Sequence, residues 1–214
     1  MSIPREQIMD AIAKARTATP ERRFEQSIEM IVNLREVDMK RPENRINLRV
    51  QLPNSVGAQR ILVFASGDLA LRARRAGADG VIEPPELDGL SKDKKEAKKR
   101  LKNFDVFVAE APLMPIVGRV VGPVLGPSGK MPTPVPPQAP IDSIIDRERK
   151  TIVVRSKDKP QVQCVVGNAG MGDDKIAENV EAVLTNLIRA LKRGLANVRS
   201  AHLKLSMGPA IKFF

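Results

Sequence analysis

The sequence has no tryptophan, no tyrosine and only six phenylalanines. Single-stranded RNA is often bound by stacking its bases on aromatic rings, so this scarcity argues against such a surface. One cysteine, Cys164, and one histidine, His202, exclude a zinc finger and a disulfide framework, and they suit a reducing cytosol. Both lie in apparent strands, where no Cys/His or Ser/His/Asp set can be built from them. We therefore expect no enzyme, no cofactor and no metal.

Long apolar runs are also missing. The least polar stretch, residues 111–127, is broken by Arg119 and four prolines. That stretch is too short and too interrupted to span a membrane, and residues 1–17 mix polar and apolar side chains unlike a signal peptide. We expect a cytoplasmic protein without a membrane partner.

Basic charge is what the chain has in excess. Its 36 Lys and Arg residues outnumber 25 Asp and Glu, which gives a formal net charge of +11. Residues 1–57 and 150–214 together carry +8 of this charge. Such an excess indicates a polyanionic partner, nucleic acid before membrane, contacted through phosphate, ribose and shape.

Hydrophobic periodicity predicts one domain from the two ends of the chain, residues 1–57 and 150–214. The predicted elements are a short helix near Pro4, a helix over 20–37, a strand over 45–53, a hairpin of 151–155 with 161–167, a helix from Asp173 to Gly194, and a terminal strand ending near Leu205. These elements predict an open antiparallel sheet covered on one face, in a split βαβ arrangement. Its free face would carry Asn47, Arg49, Gln51, Gln161, Gln163, His202, Lys204 and Ser206.

The middle segment, residues 58–149, follows a different pattern. Buried-type strands at 60–65, Val81 and 105–109 alternate with helices at 69–76 and 91–102. This alternation predicts a Rossmann-like insert with a parallel sheet and helices on both sides, so the fold class is mixed α+β and α/β. Residues 112–140 hold nine prolines and four glycines, and we expect no long regular structure there.

The two chain crossings are the expected hinge. Gly57 gives backbone latitude at one crossing. Arg149, in the polar stretch 147–150, stands at the other, and we expect that stretch to be solvated.

Nucleotide binding by the insert is disfavoured. One glycine, Gly67, follows the first strand where a dinucleotide site needs three. Residues 126–130 resemble a phosphate loop, but Val124 replaces its first glycine and Met131 replaces the hydroxyl that holds magnesium. The basic run 92–102 has two interpretations, a solvated helix face or a second nucleic-acid contact.

The terminal turn also has two interpretations. Ser206, Met207 and Gly208 follow the last strand, with Lys204 and Ser206 facing outward. They form either a plain strand-ending turn or a turn that binds RNA, in which glycine lets the RNA backbone approach closely. Phe24 is also ambiguous. It continues an apolar helix face, which favours the core, and yet it follows Arg22 and Arg23 near the start of that helix.

Several runs resemble the universal ribosomal protein family of the exit-site stalk, the L-one family, in its archaeal form. They are residues 23–27 (Arg-Phe-Glu-Gln-Ser), 76–79 (Ala-Gly-Ala-Asp), 122–132, 175–179 (Lys-Ile-Ala-Glu-Asn) and 206–209 (Ser-Met-Gly-Pro). The resemblance covers nearly the whole chain in the right order. It implies a split two-domain protein, a structural constituent of the large subunit that binds large-subunit rRNA.

The resemblance also implies site residues and partners. RNA-binding positions would be Phe24, Ser27, Lys157, Lys159, Ser206, Met207 and Gly208, and we expect Arg23 and Lys204 beside them to bind RNA as well. Ser206 stands where bacterial members have threonine, and the hairpin holding Lys157 and Lys159 departs further from their pattern. The implied roles are binding at the mobile stalk, release of exit-site tRNA and repression of the protein's own mRNA, by a protein that is a monomer outside the ribosome. The alternatives are an RNA-modifying enzyme with a Rossmann-like cofactor domain and a free regulatory mRNA binder.

Overall fold

The computed structural model describes residues 3–57, 59–92, 94–156 and 158–214. The helices of the described residues are α1 (Arg5–Thr17), α2 (Gly67–Arg75), α3 (Pro84–Lys92), α4 (Lys94–Leu101), α5 (Met114–Ser128), α6 (Ile141–Arg149) and α7 (Asp173–Ala190). The strands are β1 (Ser27–Leu34), β2 (Asn47–Gln51), β3 (Ile61–Phe64), β4 (Gly80–Ile82), β5 (Val106–Glu110), β6 (Thr133–Val135), β7 (Thr151–Arg155), β8 (Gln161–Asn168), β9 (Val198–Leu205) and β10 (Ile211–Lys212). None of the described helices is long and apolar enough to cross a membrane.

The chain divides into two compact units. One is discontinuous and consists of Met1–Gly57 and Lys150–Phe214, and the other is the insert Ala58–Arg149. The discontinuous unit contains an antiparallel sheet in the order β10-β9-β1-β8 and a two-stranded sheet of β2 and β7. Helices α1 and α7 pack together and contact β9 and β8 respectively, which covers one face of the larger sheet.

Helix α7 packs through one apolar stripe. Its buried residues recur at helical spacing along a single stripe and join the core of the discontinuous unit: Ile176, Val180, Val183, Leu184 and Leu187. Asp173 and Asp174 lie in its first turn, where the helix dipole favours negative charge, and both pair with arginines of α1. The helix ends at Ala190, a few residues before the predicted stop at Gly194.

The predicted helix over residues 20–37 is wrong. Residues 27–34 form strand β1, in which buried Ile28, Met30, Val32 and Leu34 alternate strictly with less buried neighbours. Ile28 and Ile31 are three apart and fit a helical period, which hides the period of two. Pairing on both sides, with β8 and β9, decides the strand and favours its β-branched side chains.

The predicted hairpin has correct strand positions and wrong pairing. β7 pairs antiparallel with β2, whereas β8 pairs antiparallel with β1. The partners separate at Ser156, whose backbone N–H donates to Ile46 O at 2.9 Å while its hydroxyl accepts from Ile46 N at 2.9 Å. This fixes the end of β7 against β2 and leaves β8 free to join the larger sheet.

The insert is a parallel α/β unit, which confirms the predicted mixed fold class. Its sheet has the order β4-β3-β5-β6, and the pairs are all parallel. Alternate residues of β3 point to opposite faces: Ile61 and Val63 pack with α2 and α6, while Leu62 and Phe64 pack with α3, α4 and α5. Phe64 also stacks on Phe107 with ring centroids 6.3 Å apart.

The proline-rich tail of the insert is more regular than expected. Residues 114–128 form α5, despite Pro115 in the first turn and Pro123 and Pro127 inside. Val117, Val121 and Leu125 are spaced four apart and buried against the sheet, so tertiary packing overrides the low helix propensity. Gly129 ends the helix in the left-handed conformation at φ 71°.

Candidate nucleic-acid interface

The turn after β9 is tied to the start of β1. The Ser206 hydroxyl accepts a hydrogen bond from Ser27 N at 3.2 Å and lies 3.3 Å from Ser27 O. Lys204 Nζ donates to Ser206 O at 2.9 Å, and Gly208 N donates to Leu205 O at 2.9 Å. The backbone of the turn is therefore held from several sides before any ligand arrives.

Gln26 is a second support, and the sequence pattern does not indicate it. Its side chain is buried, with Oε1 accepting from Met207 N at 3.0 Å and Nε2 donating to Pro20 O at 3.3 Å. Its carbonyl oxygen accepts from Ala169 N at 2.8 Å. A glutamine so placed joins three loops at one end of the sheet. The wrong helix prediction hides this role, because it places Gln26 on an ordinary helix.

Two large apolar side chains remain exposed at this end of the sheet. Phe24 is 54% exposed and Met207 is 57% exposed, although each belongs to a segment held by Gln26. The core interpretation of Phe24 is therefore wrong. Arg22 and Arg23 beside Phe24 are also exposed. Exposed apolar groups beside cations, on a backbone fastened underneath, are suited to a partner with both flat faces and phosphates.

The larger sheet has one face without a covering helix among the described residues, and polar side chains line it. On β1 and β9 the neighbours across the strands are Glu29 with Lys204, Ile31 with His202 and Asn33 with Ser200. Asn33 Nδ2 donates to Ser200 Oγ at 2.9 Å. Of the predicted free face, Gln161 and Gln163 lie on β8, His202 and Lys204 lie on β9, and Ser206 follows β9 directly. Asn47, Arg49 and Gln51 belong instead to the two-stranded sheet.

A groove of about 470 Å³ lies at the far end of this open face. Lys159 and Arg199 contribute positive charge to it, and Asn33, Gln161 and Ser200 contribute amides and a hydroxyl. Because Asn33 pairs with Gln161 at the end of β1 and Ser27 pairs with Asn168 at its start, Lys159 lies at the opposite end from Met207. The predicted site residues therefore form two groups rather than one.

His202 lies on the open face between these ends. Burial, and then the positive charge of Lys212, lower the pKa of His202 below its usual 6.5. His202 and Lys212 are directly opposite each other on β9 and β10. The imidazole is thus neutral at pH 7, where it can accept one hydrogen bond and donate another.

Gly208 lies too close to Thr19 to carry a side chain. A Cβ at this position would overlap Thr19 Oγ1 and lie 3.2 Å from Thr19 Cβ. The absence of a side chain therefore serves the packing of the turn against the end of α1, whatever else approaches it. Lys157, also predicted, lies outside the described residues.

The predicted hinge residues differ in how freely they stand. Gly57 has φ 150°, and a Cβ there would meet nothing within 4 Å. Arg149 ends α6 and donates through Nη2 to Gly77 O at 2.6 Å. The stretch 147–150 is not uniformly solvated as expected, because Glu148 is buried.

The insert's strand ends do not offer a phosphate site among the described residues. In parallel sheets, ligands bind beyond the carboxyl ends of the strands, here next to Ser66 and the start of α2. Glu110 occupies that place, with Oε2 accepting from Ser66 N and Ser66 Oγ, both at 2.8 Å. A carboxylate there repels phosphate. Cys164, in the core of the discontinuous unit, is buried, and burial raises its pKa to about 12.

Comparison with known proteins gives one consistent result. Residues 13–209 match the Ribosomal protein L1p/L10e family. A large ribosomal subunit protein uL1 from Methanothermococcus thermolithotrophicus is 46% identical over 206 residues, covering 96% of each chain. Those from Methanothermobacter thermautotrophicus and Archaeoglobus fulgidus are also 46% identical, covering 97% and 99% of this chain and 98% and 99% of their own.

These matches identify a ribosomal protein rather than an enzyme. The chain belongs to the Ribosomal protein L1p/L10e family. The predicted family, its archaeal character and the non-enzymatic class are confirmed.

Proposed function

We propose that this protein is a structural constituent of the large ribosomal subunit and binds large-subunit rRNA through its discontinuous unit. The observation that carries the proposal is the open polar face of the larger sheet, which ends in exposed Phe24 and Met207. Family membership and the relatives named large ribosomal subunit protein uL1 support the same assignment. The protein acts in the cytoplasm, associated with ribosomes, and is a monomer before assembly.

The geometry favours recognition of folded RNA by shape. A four-stranded face with amides, hydroxyls and a neutral imidazole offers donors and acceptors to ribose hydroxyls, and Arg23, Lys159 and Lys204 offer cations to phosphates. Ser27 N donates a hydrogen bond to Ser206 Oγ, so the two residues are held side by side and can contact the RNA together. Phe24 and Met207 supply apolar contact with base or ribose faces. Gly208, which has no side chain, allows the turn to pack against Thr19.

The test is RNA binding by variants that leave the fold intact. Phe24→Ala and Met207→Ala remove exposed side chains, so melting should be unchanged while affinity for large-subunit rRNA falls by about 1–2 kcal/mol each. Leu71→Ala is the matched control, because Leu71 is 52% exposed on the insert. Footprinting on total rRNA locates the site. Equal binding by all variants, or loss of affinity only with Leu71→Ala, would contradict the assignment.

Contacts between cations and phosphates contribute a separate share of the RNA affinity, which the salt dependence measures. Lys159→Gln should weaken binding and reduce the slope of log affinity against log salt, by about 0.9 for each duplex phosphate that the protein no longer neutralises. Phe24→Ala should leave that slope unchanged, because no charge is removed. The two variants together separate phosphate contacts from apolar contacts.

Three finer roles are also proposed on the family resemblance. The protein would bind at the mobile exit-site stalk, assist release of deacylated tRNA, and repress its own mRNA through a site that mimics the rRNA. Competition between rRNA and an mRNA leader for the same Phe24 and Met207 surface tests the repression. Retention of exit-site tRNA on ribosomes that lack the protein tests the release.

Gly57 and Arg149 would serve as the hinge about which the insert moves relative to the discontinuous unit while tRNA is released. Gly57 has an unhindered glycine backbone, and Arg149 marks the end of α6. A broad distribution of distances between single labels on the two units supports a hinge. One narrow distance, unchanged by rRNA, would contradict it.

A further inference from the structure

A cavity of about 630 Å³ opens at the end of the discontinuous unit where β1 finishes and β9 begins. Residues 36–38, 41 and 43–48 form one wall, and residues 190–193 and 197, from the last residue of α7 onward, form the other. Its volume lies within the range of about 300–1,000 Å³ that is usual for ligand sites. β1 has eight residues, so the cavity lies about 25 Å from Ser27 and the exposed turn. The rRNA assignment neither uses this cavity nor bears on it.

The inner lining of the cavity is apolar. Ile46 and Leu191 are buried, and Val37 and Leu48 are partly buried against the same core. Such a lining accepts an aliphatic or aromatic side chain and gains from removing it from water.

Charges on the rim are unevenly neutralised. Glu36 is ion-paired with Arg193, and the Asp38 carboxylate lies 3.6 Å from the Arg41 guanidinium, which is also 4.0 Å from Glu43. Each rim carboxylate thus has a cation beside it.

Two rim cations differ from Arg41 and Arg193. Arg45 donates only through Nε to Met39 O at 3.3 Å, and Lys192 is exposed; among the described residues neither has a carboxylate partner. The charge left over at the cavity is therefore positive. It complements one carboxylate of a ligand.

The cavity wall is preformed. Glu36 has φ 56°, a conformation that is costly for a residue with a side chain and that tends to occur at functional sites. Buried Asn197 holds both sides of it, with Nδ2 donating to Arg35 O at 3.0 Å and Oδ1 accepting from Arg193 N at 2.9 Å. A ligand would meet a fixed shape, so little free energy is spent on ordering it.

We propose that this cavity binds a short peptide segment of a partner protein, in which an acidic side chain stands beside an apolar one. The apolar side chain enters the lining of Ile46, Leu48 and Leu191, and the carboxylate reaches Arg45 and Lys192. RNA fits less well, because Glu36, Asp38 and Glu43 offset most of the positive charge on the rim, and a run of phosphates needs more than the excess that remains. The site therefore favours a protein neighbour on the side away from the exposed turn.

The experiment uses the full chain and a displayed library of random heptapeptides. The library is selected on the native protein and on the double variant Arg45→Gln with Lys192→Gln. Lys40→Gln is the control, an exposed cation in the same loop that does not line the cavity. Enriched peptides should share Asp or Glu next to Leu, Ile or Phe. A synthetic copy should bind each single variant about tenfold more weakly, the size expected for removing a charge-assisted hydrogen bond, and bind Lys40→Gln normally.

Further arms keep the result decisive. Arg45→Lys should restore part of the affinity, which a purely structural role of Arg45 would not require. If Arg45→Gln lowers the melting temperature, the exposed Lys192→Gln alone decides. Equal enrichment on native and doubly substituted protein, or enriched peptides without an acidic residue, would overturn the proposal. So would displacement of the peptide by an adenylate hexanucleotide, which would mark the cavity as an RNA site.

Discussion

Gln26 accepts a hydrogen bond from the backbone of Met207 at 3.0 Å and so joins two segments that are 181 residues apart in sequence. Gln26 is buried, and Met207 is the most exposed large apolar residue among those described. The hydrogen bond therefore links a hidden polar side chain to a surface that rRNA is proposed to cover. The positions of Phe24 and Met207 both depend on the Gln26 side chain, because its Nε2 also donates a hydrogen bond to Pro20 O in the segment that carries Phe24.

Gln26→Ala should weaken both the fold and RNA binding. The substitution leaves Met207 N and Pro20 O without their partner, which costs about 1–3 kcal/mol in the free energy of unfolding. RNA affinity should fall as well, although Gln26 itself is buried, because the turn is no longer held. Denaturant titration and rRNA binding are the two measurements.

Gln7→Ala is the matched control for that variant, since Gln7 is exposed on α1. It should melt and bind like the native protein. Loss of stability without loss of RNA affinity in Gln26→Ala would show that the RNA-binding turn does not depend on this hydrogen bond.

Gly208→Ala should destabilise the protein before any RNA is present. The new Cβ would overlap Thr19 Oγ1, and crowding of this kind costs about 1–3 kcal/mol. Adding Thr19→Ala removes that oxygen, so the double variant should lose less than the sum of the two single losses. Strictly additive losses, measured by denaturant titration, would mean that the two residues do not clash.

The terminal strand and turn could be predicted because their pattern is local. Leu203 and Leu205 alternate with His202 and Lys204, and β9 buries the two leucines. The exposed turn at Met207 follows from the same pattern. Its internal support could not be predicted, since the partner of Gly208 is Thr19 and that of Met207 is Gln26, both far away in sequence.

β1 and α5 show the opposite case. Ile28 and Ile31 satisfy the helical period, and only pairing with β8 and β9 selects the strand. In α5 the prolines and glycines oppose a helix, and burial of Val117, Val121 and Leu125 outweighs them. Both errors arise where tertiary packing overrides local preference.

His202 should titrate below pH 6.5, and Lys212→Gln should raise that value. Burial, the larger cause, and Lys212 both lower the pKa by disfavouring the imidazolium in the folded protein. The unfolded chain therefore binds the proton first, so the stability due to neutral His202 is complete above pH 6.5 and is lost as the pH falls below it. NMR titration of the imidazole gives the pKa directly.

Lys175→Gln is the control for the His202 titration, because Lys175 lies in α7 rather than on the open face. It should leave the pKa of His202 unchanged. An identical titration in Lys212→Gln would assign the whole shift to burial.

Asn179→Ala should be among the most damaging substitutions in α7. Asn179 is fully buried; its Oδ1 accepts from Asn54 N at 3.0 Å, and its Nδ2 donates to Asn54 O at 3.0 Å and Val166 O at 2.8 Å. Alanine leaves three backbone groups without partners, at a cost of about 2–3 kcal/mol. The Asn54 amide should also lose protection in hydrogen exchange.

The attachment of Asn54 to Asn179 matters because Asn54 stands just before Gly57, at one of the two crossings. A rigid attachment at Asn54 would confine backbone freedom to Gly57, whereas Asn179→Ala would spread it over the preceding residues.

Asn186→Ala is the matched control, since Asn186 is exposed on the same helix and donates to Ala182 O at 2.8 Å. It should change stability by about 0.5 kcal/mol or less. Equal losses in the two variants would show that helix propensity, and not the Asn54 attachment, sets the cost.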